Sequence, residues 1–413
     1  MEHIFIYTFV ILYILNFFLD LFLSRLNIKH LLKYPDPPKP FQEFIEAEKY
    51  QKSIRYSMSY YRFHLFSGTV SAVLFLLFVY AGWMNAIDLK LYEIVPDETW
   101  RGICFFFILS FLSYLVGIPF GLYSTFVIEE KFGFNRETLS LWFKDQVKGI
   151  LVSSLFMLPL SYAILYFMSS TGAYWWVYVW CLFFLYNLIL LQIYPIFIAP
   201  LFNKFSPLEQ GELRTKLEEL AQRMKFSIAN IYVIDATKRS THSNAYFTGF
   251  GKTKRLVLYD SLIKEFSTDE IACVVAHEIG HYQKKHILKH IILSQSTALL
   301  FFYLLSIALN HPYLYKTFLV ANQSTYMGLI LLSFIVSLVL SFFSPAFNFF
   351  SWKHETEADQ CSLDAIEKKD AFRTMLIKLH VQNLSNLVPH PLYARFNYSH
   401  PPIKERLERV GLL

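Results

Sequence analysis

Charged residues are few in this chain. Asp, Glu, Lys and Arg make up 17% of its 413 residues, where a soluble domain carries about a quarter. That deficit argues against an ordinary soluble fold. Cysteine is sparse too: Cys104, Cys181, Cys273 and Cys361 are scattered along the chain. None forms a close pair of the metal-binding kind, so neither a cysteine-held metal nor a disulfide framework is expected. Internal repeats and low-complexity tracts are absent, so a repeat architecture is not indicated. The net charge is only +6. Membrane topology accounts for it, and no nucleic-acid partner is expected.

What the chain has instead is apolar length. Hydrophobic residues make up 54% and aromatics 18%. A membrane span needs about 20 mostly apolar residues. Seven candidates occur, at roughly 4–24, 64–85, 103–126, 150–169, 174–199, 287–309 and 325–349. The fourth and fifth are divided only by Ser169-Ser170-Thr171-Gly172-Ala173, which reads as a hydrophobic hairpin. Lys and Arg collect after spans one, three, five and seven, and the other connections are poor in them. Basic residues favour the cytoplasmic side. The alternation therefore predicts an outside N-terminus and a cytoplasmic C-terminus. Glu2 precedes the first apolar run and basic residues follow it, the pattern of a reversed signal anchor and not of a cleaved signal peptide. The expected class is a mainly α, polytopic membrane protein with seven transmembrane helices. Its expected segments are 1–199 (spans one to five), 200–286 (cytoplasmic), 287–349 (spans six and seven) and 350–413 (cytoplasmic), the two cytoplasmic segments meeting as one split domain.

In the first cytoplasmic segment, Leu213, Leu217, Leu220, Ala221 and Met224 recur at helical spacing, which predicts an amphipathic helix over 206–225. Residues 230–235 read as a strand, and 244–250 with 254–260 as a hairpin turning at Gly251-Lys252-Thr253. Ser267 and Glu270 form a capping box, which predicts a helix beginning there. That helix carries His277-Glu278-Ile279-Gly280-His281. Residues four apart share a helix face, so both histidines can bind one zinc ion while Glu278 reaches its water. Glu278 is the candidate general base.

A catalytic zinc usually takes three protein ligands. The second cytoplasmic segment offers Glu355-Thr356-Glu357-Ala358-Asp359, expected to be helical. Glu355 and Asp359 share a face, so Asp359 suits an outer partner that orients a ligand histidine. Spacing alone leaves both Glu355 and Glu357 open as third ligand. His400 and Asn244 are candidate donors to developing negative charge. His286 and His290 are also four apart, but no glutamate follows His286, and they read as interfacial residues where span six enters the bilayer. Ser294-Gln295-Ser296-Thr297, Asn187 and Gln192 are polar groups within spans, of the kind that pair between helices or line a cavity.

Further segments join these features: Glu129-Glu130-Lys131-Phe132-Gly133-Phe134-Asn135, Tyr194 to Asn203 (Tyr-Pro-Ile-Phe-Ile-Ala-Pro-Leu-Phe-Asn), Ser240 to Phe247, and Ser399-His400-Pro401-Pro402 with Glu405-Arg406. In this order and with seven spans, the set resembles the type I CAAX prenyl endopeptidases, integral-membrane zinc proteases that process prenylated proteins. The resemblance implies a seven-helix barrel around a water-filled chamber, closed at its cytoplasmic end by a zincin-like (gluzincin) α+β domain. It implies one zinc ion held by His277, His281 and Glu355, with Glu278 as base and with Asn244 and His400 at the active site. It also implies a prenylated or membrane-associated peptide that binds as an added strand along Ala245, Tyr246 and Phe247. A monomer in the lipid bilayer is expected. The short connection from about Asn310 to Ser324 and the absence of a retention signal favour a bacterial inner membrane, or the endoplasmic reticulum or inner nuclear membrane in a eukaryote. The rival enzyme is a quality-control zinc protease that degrades damaged membrane proteins. A receptor or transporter with an incidental metal site would leave the capped motif helix and the acidic helix without purpose.

Overall fold

The computed structural model describes residues 2–227, 230–249 and 255–413. Among them, seven helices are long and apolar enough to cross a membrane: His3–Leu31, Ala47–Tyr80, Glu98–Phe132, Leu139–Ser170, Gly172–Phe202, His286–Ala308 and Thr325–Phe342. The expected hairpin between spans four and five is two helices joined at Gly172, whose φ of +69° suits the only residue without a Cβ.

Several spans outrun the apolar runs that signal them. The second has 34 residues, about 51 Å at helical rise, against a hydrocarbon core of about 30 Å. Its polar first half continues as helix beyond the bilayer and presents Tyr50, Ile54 and Tyr61 to the split domain. It ends at Gly82 (φ +82°), sooner than expected, and a separate helix, Trp83–Ile94, follows. Span seven also ends sooner, at Phe342. A new helix, Ser344–Ala365, starts there with Pro345 in its first turn, where a proline lacks no needed N–H.

In six of the seven spans, only 6–17% of the most apolar window is buried by protein; in Thr325–Phe342 it is 39%. Burial this low fits helices that are packed only in part against one another. Ser294, Thr297 and Asn187 turn their polar groups back onto carbonyls of their own helices, which satisfies them without a partner helix.

The sheet has four strands: β1 (Phe205–Pro207), β2 (Ile231–Ile234), β3 (Ala245–Thr248) and β4 (Arg255–Tyr259). Their order is β1-β2-β4-β3. The β2/β4 pair is parallel and the other two pairs are antiparallel, with Tyr246 opposite Val257. Thus β3 is an edge. The expected turn of its hairpin lies outside the described residues. The amphipathic helix is shorter than expected, Glu212–Arg223, because residues 205–207 form β1. One core joins Leu217, Leu256, Leu258, Val275 and Phe372 to Leu31 and Tyr50 at the ends of spans one and two and to Phe41 between them. The domain is thus built directly on the membrane helices.

Candidate metal centre and active site

The capping box forms as the sequence predicts: Ser267 Oγ accepts from Glu270 N, and Glu270 Oε2 accepts from Ser267 N at 2.7 Å. The helix it starts, Thr268–Gln283, is buried from Glu270 through His277. It crosses the helix Ser344–Ala365 at Gly280. A Cβ there would lie 3.1 Å from the backbone of Ala358 and 2.9 Å from Cys361 Cβ, so glycine permits the close approach. Ser362 Oγ donates to Cys273 O at 2.9 Å and ties the pair.

The crossing brings His277, His281 and Glu355 together. Their Nε2 atoms lie 3.0 Å apart, and Glu355 oxygens lie 3.5 Å from His277 Nε2 and 3.3 Å from His281 Nε2. Zinc with bonds of about 2.0–2.1 Å in tetrahedral geometry sets its donor atoms about 3.3 Å apart. Glu355 Oε2 is buried with no hydrogen-bond partner among the described residues, a condition that a cation at this point relieves. The donor set fits zinc.

Around these groups lies a charged frame. Asp359 Oδ1 is 2.8 Å from His277 Nδ1. Arg406 grips Asp359 with two bonds, Nε to Oδ2 at 2.9 Å and Nη2 to Oδ1 at 2.6 Å. Both are buried. Burial resists the Asp359 charge, yet Arg406 and His277 hold its pKa down to about 2. Burial likewise opposes ionisation of Glu355, and the adjacent His277 and His281 nonetheless hold it far below the ordinary range. His277 moves the other way: burial disfavours its charge, but Asp359 and Glu355 raise its pKa well above the usual value. A histidine binds a metal ion in its neutral form, so loading a cation here competes with protonation. Glu278 has its pKa raised, chiefly by burial, the direction that suits a general base near neutrality.

His400 also joins the cluster, with Nε2 3.3 Å from Glu355 Oε1. Its side chain is 62% exposed, so it stands at the mouth of the site. Asn244 is exposed at the entry of β3, where its Oδ1 accepts from Ala245 N at 2.8 Å. It leads into β3, which packs on the motif helix. Next to it, His242 is fixed between Asn383 Oδ1 (3.0 Å) and Glu129 Oε2 (3.1 Å). Glu129 also accepts from Tyr56 and Tyr60 of span two. The Glu129 and Ser240 to Phe247 segments, far apart in sequence, thus meet at one junction.

His286 departs from the expectation of an interfacial residue. It is 2% exposed, and its Nδ1 lies 2.9 Å from His281 Nδ1. The motif helix ends at Gln283, and Lys285 adopts a left-handed φ of +56° that folds the chain back beneath His281. An apolar run beginning at residue 287 hid this reversal. Arg406 was visible in the sequence only as part of a shared segment. The arginine's partner, Asp359, could be paired with it only in three dimensions.

The family profile described as the CAAX prenyl protease N-terminal region with five membrane helices matches residues 27–204. The peptidase family M48 profile matches residues 207–411. The chain belongs to peptidase family M48. It is 37% identical to the CAAX prenyl protease 1 homolog of Arabidopsis thaliana over 97% of its own length and 95% of that protein. It is 36% identical to CAAX prenyl protease 1 of Saccharomyces cerevisiae over 90% and 87%. The crystal structure of S. mikatae Ste24p superposes with a TM-score of 0.92 at 32% identity, covering 98% of this chain and 99% of that one. This M48 chain is a membrane-embedded, zinc-dependent metalloendopeptidase.

Proposed function

We propose that this M48 peptidase cuts near the C-terminus of prenylated CAAX proteins or of related membrane-associated peptides, with Glu278 as general base. The observation that carries the chemistry is the convergence of His277, His281 and Glu355 at donor spacings of 3.0–3.5 Å. The CAAX substrate class rests on the near full-length likeness to CAAX prenyl proteases.

His277, His281 and Glu355 would hold zinc, which when bound would polarise the substrate carbonyl and acidify water. Glu278, adjacent to His277 on the motif helix, takes the proton of the attacking water and returns it to the leaving nitrogen. His400, at the mouth, donates to the oxygen that gains negative charge, and Asn244 assists from the entry of β3. Asp359, held by Arg406, stands 2.8 Å from the second nitrogen of His277 and so orients that ring. The substrate adds a strand to the free edge of β3 along Ala245, Tyr246 and Phe247, where backbone hydrogen bonds give affinity without demanding one sequence.

On this reading the chain divides into segments 1–199, 200–286, 287–349 and 350–413, with 200–286 and 350–413 taken as one zinc-binding unit because the ligands come from both. One chain supplies every ligand, which supports a monomer. The basic connections support a zinc centre that faces the cytoplasm. The eukaryotic relatives favour an endoplasmic-reticulum or nuclear membrane, and the short 310–324 connection favours a bacterial inner membrane; both put the site on the cytoplasmic face. No feature of the chain calls for nucleic acid. The low burial within six of the seven spans supports a chamber behind the site.

The test is cleavage by purified protein of a farnesylated CAAX peptide, the same peptide without its lipid, and a denatured membrane protein. Preferred cleavage of the farnesylated peptide is expected. Cleavage of the denatured protein alone would replace this reading with quality control.

A further inference from the structure

Each histidine that faces the metal position has its other nitrogen beside a further polar group. For His277 the partner is a carboxylate, Asp359, itself held by Arg406. For His281 the partner is an imidazole. His286 Nδ1 lies 2.9 Å from His281 Nδ1, and His286 Nε2 lies 3.0 Å from Glu357 Oε2. Lys289 Nζ stands 3.5 Å from the same Glu357 oxygen. The ring of His286 is stacked on that of His354, with centroids 4.1 Å apart and planes within 19°. The two arrangements are parallel: each ends in a carboxylate of the helix Ser344–Ala365 that is paired with a cation.

The hydrogen-bond pattern permits one arrangement of protons. His281 directs Nε2 at the metal position, so its Nδ1 carries the hydrogen. His286 Nδ1 must then be the acceptor. Its remaining proton is on Nε2 and is donated to Glu357, which can only accept. Both ring nitrogens of His286 are thereby paired, as a buried network requires.

We propose that His286 is a positioning residue for His281, fixing its tautomer and ring orientation, and that Glu357 fixes His286 in turn. The inference rests on the zinc reading above. It means that the metal centre is braced from the membrane. His286 is the first residue of span six, and Glu357 belongs to the helix that follows span seven. Outer partners of this kind typically change metal affinity 10–100-fold when removed.

The test is zinc affinity of the full-length protein in detergent, measured by competition with a chelator, together with the visible spectrum of the cobalt-loaded protein. His286→Leu keeps bulk in the pocket but removes the acceptor. It is expected to weaken zinc roughly 10–100-fold and to alter the cobalt spectrum. His286→Asn places an oxygen where Nδ1 stood. It is expected to recover affinity to within about fivefold of wild type while losing the Glu357 contact. Glu357→Gln should fall between the two. The proposal is overturned if His286→Leu binds zinc as tightly as wild type, or if His286→Asn loses as much as His286→Leu, which would mark a packing role. Should the leucine variant fail to fold, the Asn and Gln variants decide by the same readouts. Failure of the zinc reading itself would look different, since wild type would then bind no zinc.

Discussion

Gly280→Ala probes the helix crossing on which the metal centre depends. The added Cβ would lie 2.9 Å from Cys361 Cβ and 3.1 Å from both Cα and O of Ala358. Relaxed contacts between carbon atoms lie at about 3.5–4.0 Å. Two of the three atoms are backbone and cannot rotate away, so the helices must part by roughly 0.5 Å. Overpacking of this sort costs about 1–3 kcal/mol, and the helical preference of alanine over glycine returns up to about 1 kcal/mol. The net loss of stability is therefore small, about 0–2 kcal/mol. The effect on the site is larger. Glu355 stands on one helix and both histidines on the other, so parting them stretches separations that now match zinc. Zinc affinity is expected to fall about tenfold or more, and peptide cleavage by up to about 100-fold. Chelator competition and cleavage of a farnesylated peptide measure the two. Gly149→Ala is the control, since a Cβ there meets nothing within 4 Å. Zinc binding and cleavage within twofold of wild type for Gly280→Ala would refute the claim that this crossing sets the ligand geometry.

Other outcomes follow from the same contacts. Asp359 has a pKa held down to about 2 from an ordinary 3.8, so its share of stability is complete above about pH 4 and is lost as pH falls through about 2. Roughly 2 kcal/mol is at stake, and acid titration of Asp359→Asn against wild type should show that window disappear, with an overall loss of about 3–5 kcal/mol from the stranded Arg406. His400→Ala should keep one bound zinc and lower kcat by about 10²–10³; metal analysis beside single-turnover kinetics checks both. Glu129→Gln weakens the junction of Tyr56, Tyr60 and His242, and should speed hydrogen exchange across 240–248 while leaving zinc affinity within about twofold.

The seven spans were legible because apolar length is a local property, and the motif helix because its start is written in Ser267 and Glu270. The ends of the spans were not. Ala47 to Arg62 is polar yet helical, since its exposed end continues a membrane helix and packs on the split domain. Residues 344–349 are mostly apolar yet belong to the next helix, because the helix breaks at Phe343. The metal cluster was visible as a motif and an acidic pair, while its frame was hidden. Arg406 meets Asp359 across 47 positions, and His286 reaches His281 only because Lys285 adopts a left-handed turn. No pattern along the chain announces either contact.

The most direct test of the account is Glu278→Gln in purified protein, read by zinc content and by turnover of a farnesylated CAAX peptide together. The account predicts one zinc per chain, bound as tightly as in wild type, with cleavage lost. A Glu278→Gln protein that still cleaves, or a wild type that cleaves after its zinc is stripped, would contradict it.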